Sequence, residues 1–420
     1  MMPSILRLVV SLGCIFTAGC ASLEPILASL TPAPVPTRTA QATSTSPPQP
    51  TGTAPITPET SSLRVWLPAQ FSPVAENSAA EMLAERLREF ESQHADLQIE
   101  VRSKSAEAQG DILNALSVTS AAAPGALPDL VLLSRSDLEM AALLGLLHPI
   151  DGLSTSLDDP NWYGYAQQLA HIQNTGYGLP VLGDTLVLIY YPELGQLVSW
   201  EDVLATDGDL VFPAGNVQAL VGLSLYASAG GEVLDPQGLP MLDEEVLARV
   251  LTLVEEGVSR ETFPPSVANI TNDAQALQIY RTGNANKAIV SYLNYRPSED
   301  GTAIPLPGLE EMSFSYATGW VWALAGASPE NQQLAVELAE FLIDEDFLSE
   351  WTQATGYLPT RPSIVQDGDR TMNAILESAQ PVPSNDVLEV LGPLMQEALT
   401  RVLSGEQPED VAGSVVEKLR

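Results

Sequence analysis

The chain has 420 residues, and its 53 acidic residues against 18 basic ones give a formal net charge of −35. This balance excludes nucleic acid as a partner, since the sequence has no basic patch that releases counterions from phosphates. Two cysteines are too few for a disulfide framework, so the fold depends on its hydrophobic core, and a chain of this length predicts two lobes.

The N-terminus predicts export. Arg7 precedes an apolar run, Leu8 to Phe16, that is too short to cross a bilayer, and small residues lead to Cys20. A cysteine at the cut position resembles a bacterial lipoprotein signal, with residues 1–19 removed and Cys20 acylated, although Thr17 stands where Leu, Val or Ile is usual. The alternative is an ordinary secretory signal cut elsewhere, whereas the short apolar run disfavours a transmembrane anchor.

We predict that residues 20–62 comprise the lipidated cysteine and a disordered linker. Pro, Thr, Ser and Ala dominate it, as in TPAPVPTRTAQATSTSPPQPTGTAP. Such a segment cannot build a core, and its prolines keep it extended. We therefore expect a tether that lifts the folded domain off the membrane.

The folded part begins near Leu63 and alternates between strand and helix patterns. Strand-like runs stand at 63–67, 98–102 and 128–133, and helical patterns separate and follow them. This alternation predicts an α/β lobe with a mostly parallel sheet. A longer β-branched run, Asp184 to Tyr191, opens the next section of the chain.

The segment from Ser313 to Ser363 is the most informative part of the sequence. An apolar strand is followed by a helix that Ser328 and Pro329 start, and Asp346 is predicted to cap a second helix from Phe347 to about Thr355. Gly356 is the natural stop of that helix, and the run GYLPTR follows it.

This order of features, together with GYLPTR, resembles family 1 of the extracellular solute-binding proteins of bacterial ABC importers, sugar-binding lipoproteins that include maltose-binding protein. The runs LVGLSLYASAGG (220–231) and PLPG (305–308) extend the resemblance over nearly all of 63–420. It implies a two-lobed, type II periplasmic-binding-protein-like α/β fold, in which each lobe is a mostly parallel sheet flanked by helices and hinge crossings join the lobes.

The resemblance also implies domain boundaries. Lobe 1 begins with 63–183, lobe 2 with 184–303, the hinge return and further lobe 1 helices occupy 304–365, and C-terminal helices at 366–420 pack on lobe 2. The cleft between the lobes is the expected ligand site, and hinge closure around the ligand is the expected motion.

A sugar-binding cleft needs aromatic platforms for the apolar sugar face and polar groups for the hydroxyls. The residues that we predict to bind ligand on this basis, aided by the family's positions, are Trp66, Ser134, Asp184, Asn216, Tyr295, Trp320, Trp322 and Tyr357. Core packing is the alternative role for each aromatic residue, and a helix cap is the alternative for Ser134. For Arg361, we favour a role in bracing the GYLPTR turn over ligand contact.

The sequence gives no argument for catalysis, a metal or a cofactor. Its three histidines are widely separated, and the sequence contains no HExxH, GxSxG, P-loop or GxGxxG motif. We predict a monomeric, non-enzymatic binding component on the outer face of the cell membrane, extracellular or periplasmic, that delivers a small solute to the permease subunits of an ABC importer.

A carbohydrate is the favoured ligand, and amino sugars, polyols, polyamines and metal chelates stay open. Polyamines gain weight from the acidic excess, because amines favour carboxylates and aromatic walls. Two further alternatives use other functions: a ligand sensor with the same fold, and a surface glycan hydrolase that would need a carboxylate pair at defined separation.

Overall fold

A computed structural model describes residues 61–104, 111–310, 312–326, 328–366 and 368–419. The predicted signal peptide, Cys20 and the linker up to residue 60 lie outside these residues. Of the helices it describes, none has the length and apolarity needed to cross a membrane.

The strands of the described chain are β1 Ser61–Pro68, β2 Leu97–Lys104, β3 Leu130–Ser134, β4 His171–Ile172, β5 Thr175–Gly176, β6 Gly178–Tyr190, β7 Leu210–Val211, β8 Lys287–Ser291, β9 Thr302–Pro305, β10 Ser315–Leu324 and β11 Ala379–Pro381. The α-helices are α1 Ser78–Gln93, α2 Asp111–Ala122, α3 Arg135–Leu143, α4 Gly164–Leu169, α5 Trp200–Ala205, α6 Leu220–Ser228, α7 Glu244–Ser259, α8 Asp273–Arg281, α9 Pro329–Phe341, α10 Glu345–Thr355, α11 Arg370–Ser378, α12 Asn385–Leu403 and α13 Pro408–Glu417.

The fold is a two-lobed α/β fold, as predicted. Its main sheet runs in the order β2-β1-β3-β10-β6-β8-β7, with β9 paired to β6 and β11 to β10. We assign the half-sheet β2-β1-β3-β10 to lobe 1 and the half-sheet of β7, β8 and β9 to lobe 2; β6 pairs with strands of both. Every residue of β6 is buried, so the predicted β-branched run is the central strand of the molecule.

Strand direction corrects the expectation of mostly parallel sheets, since the sheet is mixed. In lobe 1, β1 is parallel to β2 and β3, whereas β10 is antiparallel to both β3 and β6. In lobe 2, β6 is antiparallel to β8 and β9, while β7 and β8 are parallel. The reversed strand in each half-sheet is the one that arrives from the other lobe, because the chain then enters the half-sheet from the opposite side.

The C-terminal end of α10 gives the chain the turn that the sequence indicated. Gly356 adopts a left-handed conformation with φ 76°, which an L side chain rarely adopts, and ends the helix. The start of α10 differs from the prediction, because Asp344, and not Asp346, caps it by accepting a hydrogen bond from the Phe347 amide. Two carboxylates stand near this start, and sequence spacing alone does not choose between them.

The C-terminal part of the chain packs around helices of lobe 2. Helix α12 lies against α6, α7 and α13, and α13 lies against α7. The first residue of α12, Asn385, also reaches lobe 1: its amide donates to Glu139 Oε1 at 3.0 Å and its side-chain amide to the Ser136 carbonyl at 3.0 Å. The two lobes therefore contact each other directly at the N-terminus of α12.

Candidate functional site

Three separate segments bring aromatic rings together on lobe 1. Phe71 lies in a short 3-10 turn after β1, and its ring stands nearly perpendicular to that of Trp320 on β10, with centroids 4.9 Å apart. The ring of Tyr357, after α10, lies 5.8 Å from Phe71. Gln70 donates to the Tyr357 hydroxyl at 3.3 Å. The result is an aromatic wall with a polar hydroxyl at its edge.

The backbone around Tyr357 is pinned to the strand that joins the lobes. Leu358 and Gly183 of β6 exchange two hydrogen bonds, at 2.7 and 2.9 Å. Only glycine fits at position 183, because a Cβ there would collide with the Tyr165 hydroxyl. That hydroxyl donates to the Pro359 carbonyl. These contacts place the residues after Gly356 against the hinge strand and so fix the position of the Tyr357 backbone.

Arg361 braces the same turn, as favoured from the sequence. Its Nη1 donates to Asp159 at 2.9 Å, and its guanidinium lies 3.8 Å over the Trp162 ring. The side chain is buried. The cation therefore serves the conformation of the GYLPTR segment.

The facing wall comes from lobe 2, where β8 ends in a 3-10 turn, Tyr292–Asn294, followed by Tyr295. The rings of Tyr292 and Tyr295 lie 5.8 Å apart, and the Tyr295 hydroxyl donates to the Gly301 carbonyl at 2.8 Å. Burial raises the pKa of Tyr292 and Tyr357 to about 12, so both phenols stay protonated further into the alkaline range than an ordinary tyrosine does. A protonated phenol can donate and accept hydrogen bonds.

Two carboxylates hold this turn. Asp184 Oδ1 accepts from the Leu293 amide at 3.0 Å, and Asp273 Oδ2 accepts from the Ser291 amide and the Asn294 side chain, both at 2.9 Å. Burial raises the pKa of Asp184 to about 7, with Asp273 adding to the rise and the Leu293 hydrogen bond opposing it.

A cavity of about 490 Å³ lies between the lobe 2 turn and α10 of lobe 1. The segments that line it are the turn and its continuation, the C-terminal half of α10 with Tyr357 and Pro359, and the chain leading into α11. Its polar lining includes Arg296, Gln353, Gln366 and Asp369, and its apolar lining includes Ile364, Val365 and Met372. Its volume lies within the usual range for small-molecule sites.

A second cavity, of about 410 Å³, lies on lobe 2 and is rich in amide side chains. It is lined by Leu186, Pro213, Asn216, Gln218, Leu220, Val221, Asn272, Asp273, Ala274, Ser291 and Asn294. The Asn216 side chain donates to the Thr271 carbonyl at 3.1 Å and accepts from the Gln218 amide at 2.8 Å. Asp273, Ser291 and Asn294 connect this cavity to the turn that borders the first one.

Five of the eight predicted ligand residues come together around these cavities. Tyr295 and Tyr357 line the first cavity and Asn216 the second. Trp320 stands beside Tyr357 in the aromatic wall, and Asp184 holds the turn that carries Tyr295.

The other three have different surroundings. Trp66 is 2% exposed, and the Lys104 ammonium lies 3.7 Å over its ring. Trp322 is 1% exposed and pairs with Leu132 across β10 and β3. Ser134 caps α3: its hydroxyl accepts from the Asp137 amide and donates to the Asp137 carboxylate. None of these three lines either cavity, and neither do Trp320 and Asp184. The ligand contacts of all eight residues stay predictions.

Sequence reasoning missed Phe71, Tyr292 and Asp273. Phe71 is a lone aromatic residue after the first strand, and nothing in the local sequence shows that it will meet Trp320. Tyr292 and Tyr295, three residues apart in a loop, were a usable signal. Asn272 is the N-cap of α8 and Asp273 its first residue, and nothing in the local sequence indicates that Asp273 also contacts the turn.

The arrangement suits reversible binding of a small polar molecule with apolar faces. Ring faces from both lobes can pack on C–H surfaces, while hydroxyl, amide, guanidinium and carboxylate groups can pair with ligand hydroxyls. Within the described ranges no cluster of three or more histidine, cysteine or acidic residues is arranged to hold a metal ion.

The sequence matches a known protein family over most of its length. A family model described as bacterial extracellular solute-binding protein matches residues 85–378. No curated protein matches the chain.

Solved structures with the same fold cover 85–86% of the chain. The sugar-binding protein MalE from Xanthomonas citri is 18% identical, with a TM-score of 0.69 and 96% of its own chain covered. The maltose-binding periplasmic protein MalE from Listeria monocytogenes, in complex with maltose, is 16% identical, with a TM-score of 0.68 and 97% covered. A cyclo/maltodextrin-binding protein complexed with maltotetraose is 20% identical, with a TM-score of 0.69 and 96% covered.

Proposed function

The chain belongs to the bacterial extracellular solute-binding protein family, and we propose that it captures a carbohydrate between its lobes for uptake by an ABC importer. The observation that carries the proposal is the cavity of about 490 Å³, which Tyr357 of lobe 1 and Tyr292 and Tyr295 of lobe 2 line together. Aromatic faces from two lobes and a polar lining match the two-sided chemistry of a sugar ring.

Capture by this route requires no covalent chemistry. A ligand that contacts both walls favours the closed arrangement only through contacts that are better there than in the open one. The closed surface is then available for recognition by permease subunits. We propose a binding protein and not an enzyme, and this assignment predicts that purified protein leaves maltodextrins and other glycans uncleaved.

The sugar class rests on the site chemistry and on the folds of proteins whose structures contain maltose or maltotetraose. The test is a thermal-shift screen of the purified protein against maltodextrins, other neutral sugars, polyols and polyamines, since a ligand that binds the folded state alone raises its apparent stability. We expect a shift with a sugar. A response to polyamines alone would overturn the carbohydrate assignment while leaving solute capture in place.

A pair of variants checks the site. Tyr357→Ala removes a ring face, and we expect roughly a tenfold loss of sugar affinity, because an aromatic contact contributes on the order of 1 kcal/mol. Tyr357→Phe keeps the ring and loses only the hydroxyl with its hydrogen bonds, so its affinity should lie closer to that of wild type than to that of the alanine variant. Equal affinities for wild type and the alanine variant, measured by titration calorimetry, would contradict the proposed site.

We also propose that a lipid on Cys20 anchors the protein to the membrane and that the protein delivers its sugar to a permease there. Acylation at Cys20 would hold the protein on the membrane through its linker, since each buried CH₂ of an acyl chain contributes about 0.8 kcal/mol. Mass spectrometry of the mature N-terminus tests this acylation, and a diacylated or triacylated Cys20 is expected. The Cys20→Ser variant cannot be acylated and should be released into the medium. Binding of the sugar-loaded protein to a sensor, with no permease partner, would replace transport by the sensing alternative.

A further inference from the structure

The turn from Ser291 to Tyr295 carries two of the tyrosines that line the first cavity, and its conformation depends on carboxylates from elsewhere. The amides of Ser291 and Leu293 and the side chain of Asn294 all donate to acidic side chains. Short 3-10 turns make few internal hydrogen bonds. The external acceptors therefore decide where Tyr292 and Tyr295 point.

The two carboxylates come from elements with different positions in the fold. Asp273 is the first residue of α8, which packs on β8 of lobe 2. Asp184 lies on β6 at the level where this strand pairs with Thr318 of β10, just before its pairing passes to β8 at Leu186. Asp184 thus links the tyrosine turn to the strand by which the chain passes from one lobe to the other.

The surroundings of Asp184 support a role toward the turn. Its side chain is 8% exposed, and the groups that act on its pKa are amides, a serine hydroxyl and Asp273, with no basic side chain among them. A buried carboxylate without a cation depends on hydrogen-bond donors for its stability. The turn supplies these donors, so the carboxylates and the turn stabilise one another.

We propose that Asp184 and Asp273 are positioning residues that hold the Ser291–Tyr295 turn against the hinge strand and so set the lobe 2 wall of the ligand cavity. This inference deepens the proposed function and rests on it. It also changes the role predicted for Asp184 from the sequence, because the side chain acts on ligand through the backbone of the turn and through Tyr292 and Tyr295.

The first readout needs no ligand. Hydrogen–deuterium exchange of peptides covering 287–296 should accelerate several-fold in Asp184→Ala and in Asp273→Ala, since each loses a hydrogen bond that protects this segment. Asp184→Asn and Asp273→Asn should keep near-wild-type exchange, because the amide oxygen of asparagine accepts the same bonds. Unchanged exchange in both alanine variants would overturn the proposal.

The second readout is affinity for maltotriose, measured by calorimetry on the full chain. Each alanine variant should bind about tenfold more weakly, a loss of about 1.4 kcal/mol, and each asparagine variant should recover the loss. If the carboxylates instead contacted ligand through their charge, the asparagine variants would bind as weakly as the alanine variants. Failure of both asparagine variants to recover affinity would therefore also overturn the positioning role.

A matched control separates positioning from general stability. Asp243 caps α7 by accepting from the Val246 amide at 2.9 Å, and it is not among the residues that line either cavity. Asp243→Ala should lower the melting temperature without changing exchange at 287–296 or maltotriose affinity. Absence of wild-type binding to maltotriose and to every other sugar in the screen would contradict the proposed function alone, since the exchange experiment still decides the positioning role.

Discussion

Asp184 shows how burial and hydrogen bonding compete at a single residue. Removal from water and the nearby Asp273 raise its pKa, the Leu293 amide opposes them, and the net result is a pKa of about 7. Tyr165 and Tyr357 also face this carboxylate, since its charge raises the pKa of each phenol. Asp184 therefore holds its proton to a higher pH than an ordinary aspartate does.

The sign of the resulting pH dependence follows directly. The folded-state pKa lies above the value of about 3.9 in an unfolded chain, so the folded protein keeps a proton that the unfolded chain has lost. The contribution of Asp184 to stability is full below about pH 4 and falls as pH rises toward 7. We expect Asp184→Asn, which resembles the protonated form, to be more stable than wild type at pH 8 by on the order of 2–4 kcal/mol.

Urea unfolding of the two proteins between pH 4 and pH 8 measures this effect. The stability difference should widen as pH rises and then level off above pH 7. A difference that is constant across the range would show that the carboxylate titrates normally in the folded protein.

At this scale the sequence identified residue types better than residue roles. Tyr295 was marked by the family's positions and Tyr357 by the Gly356 turn, and both line the first cavity; their contact with ligand stays a prediction. Trp66 and Trp322 looked equally suitable, and the structure buries both within lobe 1. A side chain on a strand faces one side of the sheet or the other, and the elements that cover that side are distant in sequence.

Lys287 connects the end of helix α5 to strand β8 in lobe 2. It starts β8, is fully buried, and its ammonium donates to the carbonyls of Thr206, Asp207 and Gly208 at 2.9, 3.3 and 2.8 Å. These carbonyls follow the end of α5, where backbone acceptors lack partners within the helix. Lys287 thus joins the C-terminal end of α5 to the sheet.

Replacement of this lysine should destabilise the lobe. Lys287→Met leaves the three carbonyls without their donor, and we expect a loss of about 2–3 kcal/mol at pH 7. Lys418, an exposed lysine paired with Glu397, is the matched control, and Lys418→Met should change stability by less than about 0.5 kcal/mol. Equal melting temperatures for the two variants would contradict this role.

Burial also lowers the pKa of Lys287 to about 8, below its ordinary value of 10.5. The unfolded chain then binds more protons than the folded protein between about pH 8 and 10.5, so this group makes wild type more stable as pH rises through that window. The same slope should be missing from Lys287→Met in unfolding experiments at pH 8 and pH 10.

Elements were predicted well where local signals agreed with one another. The strand, helix, helix and turn from 313 to 363 appear as β10, α9, α10 and the Gly356 turn. Their boundaries were less certain, since Asp344 and Asp346 both suit a helix start, and only backbone geometry assigns the cap to Asp344. The contact of Asp273 with the turn was likewise not predictable from local spacing, because Asp273 and Ser291 are 18 residues apart in the sequence.

At the scale of the whole molecule, a buried ion pair lies where the lobes touch. Arg135 and Glu139 of α3 are 9% and 5% exposed, and Arg135 Nη1 lies 2.9 Å from Glu139 Oε2. The other carboxylate oxygen accepts from Asn385 at the start of α12. Glu139 therefore supplies lobe 2's longest described helix with a negative charge at its N-terminus, where the helix dipole favours one.

Removal of one partner should cost more than removal of both. Glu139→Ala leaves the Arg135 guanidinium buried without its carboxylate, and we expect a loss of about 3–5 kcal/mol. The double variant Arg135→Met with Glu139→Leu should recover most of that loss, because two apolar side chains fill the same space without charge. Chemical unfolding of both variants measures it, and a double variant as unstable as the single one would contradict the pairing.

The sequence by itself determined the class of fold and the family, because both depend on the order of strand, helix and turn patterns, which local spacing encodes. The mixed direction of the sheet, the meeting of Tyr357 with the Tyr292–Tyr295 turn, and the hold of Asp184 and Asp273 on that turn were decided only by the tertiary structure. Each of these joins segments from different lobes or distant strands, and the contacts that select them exist only after the chain has crossed between the lobes.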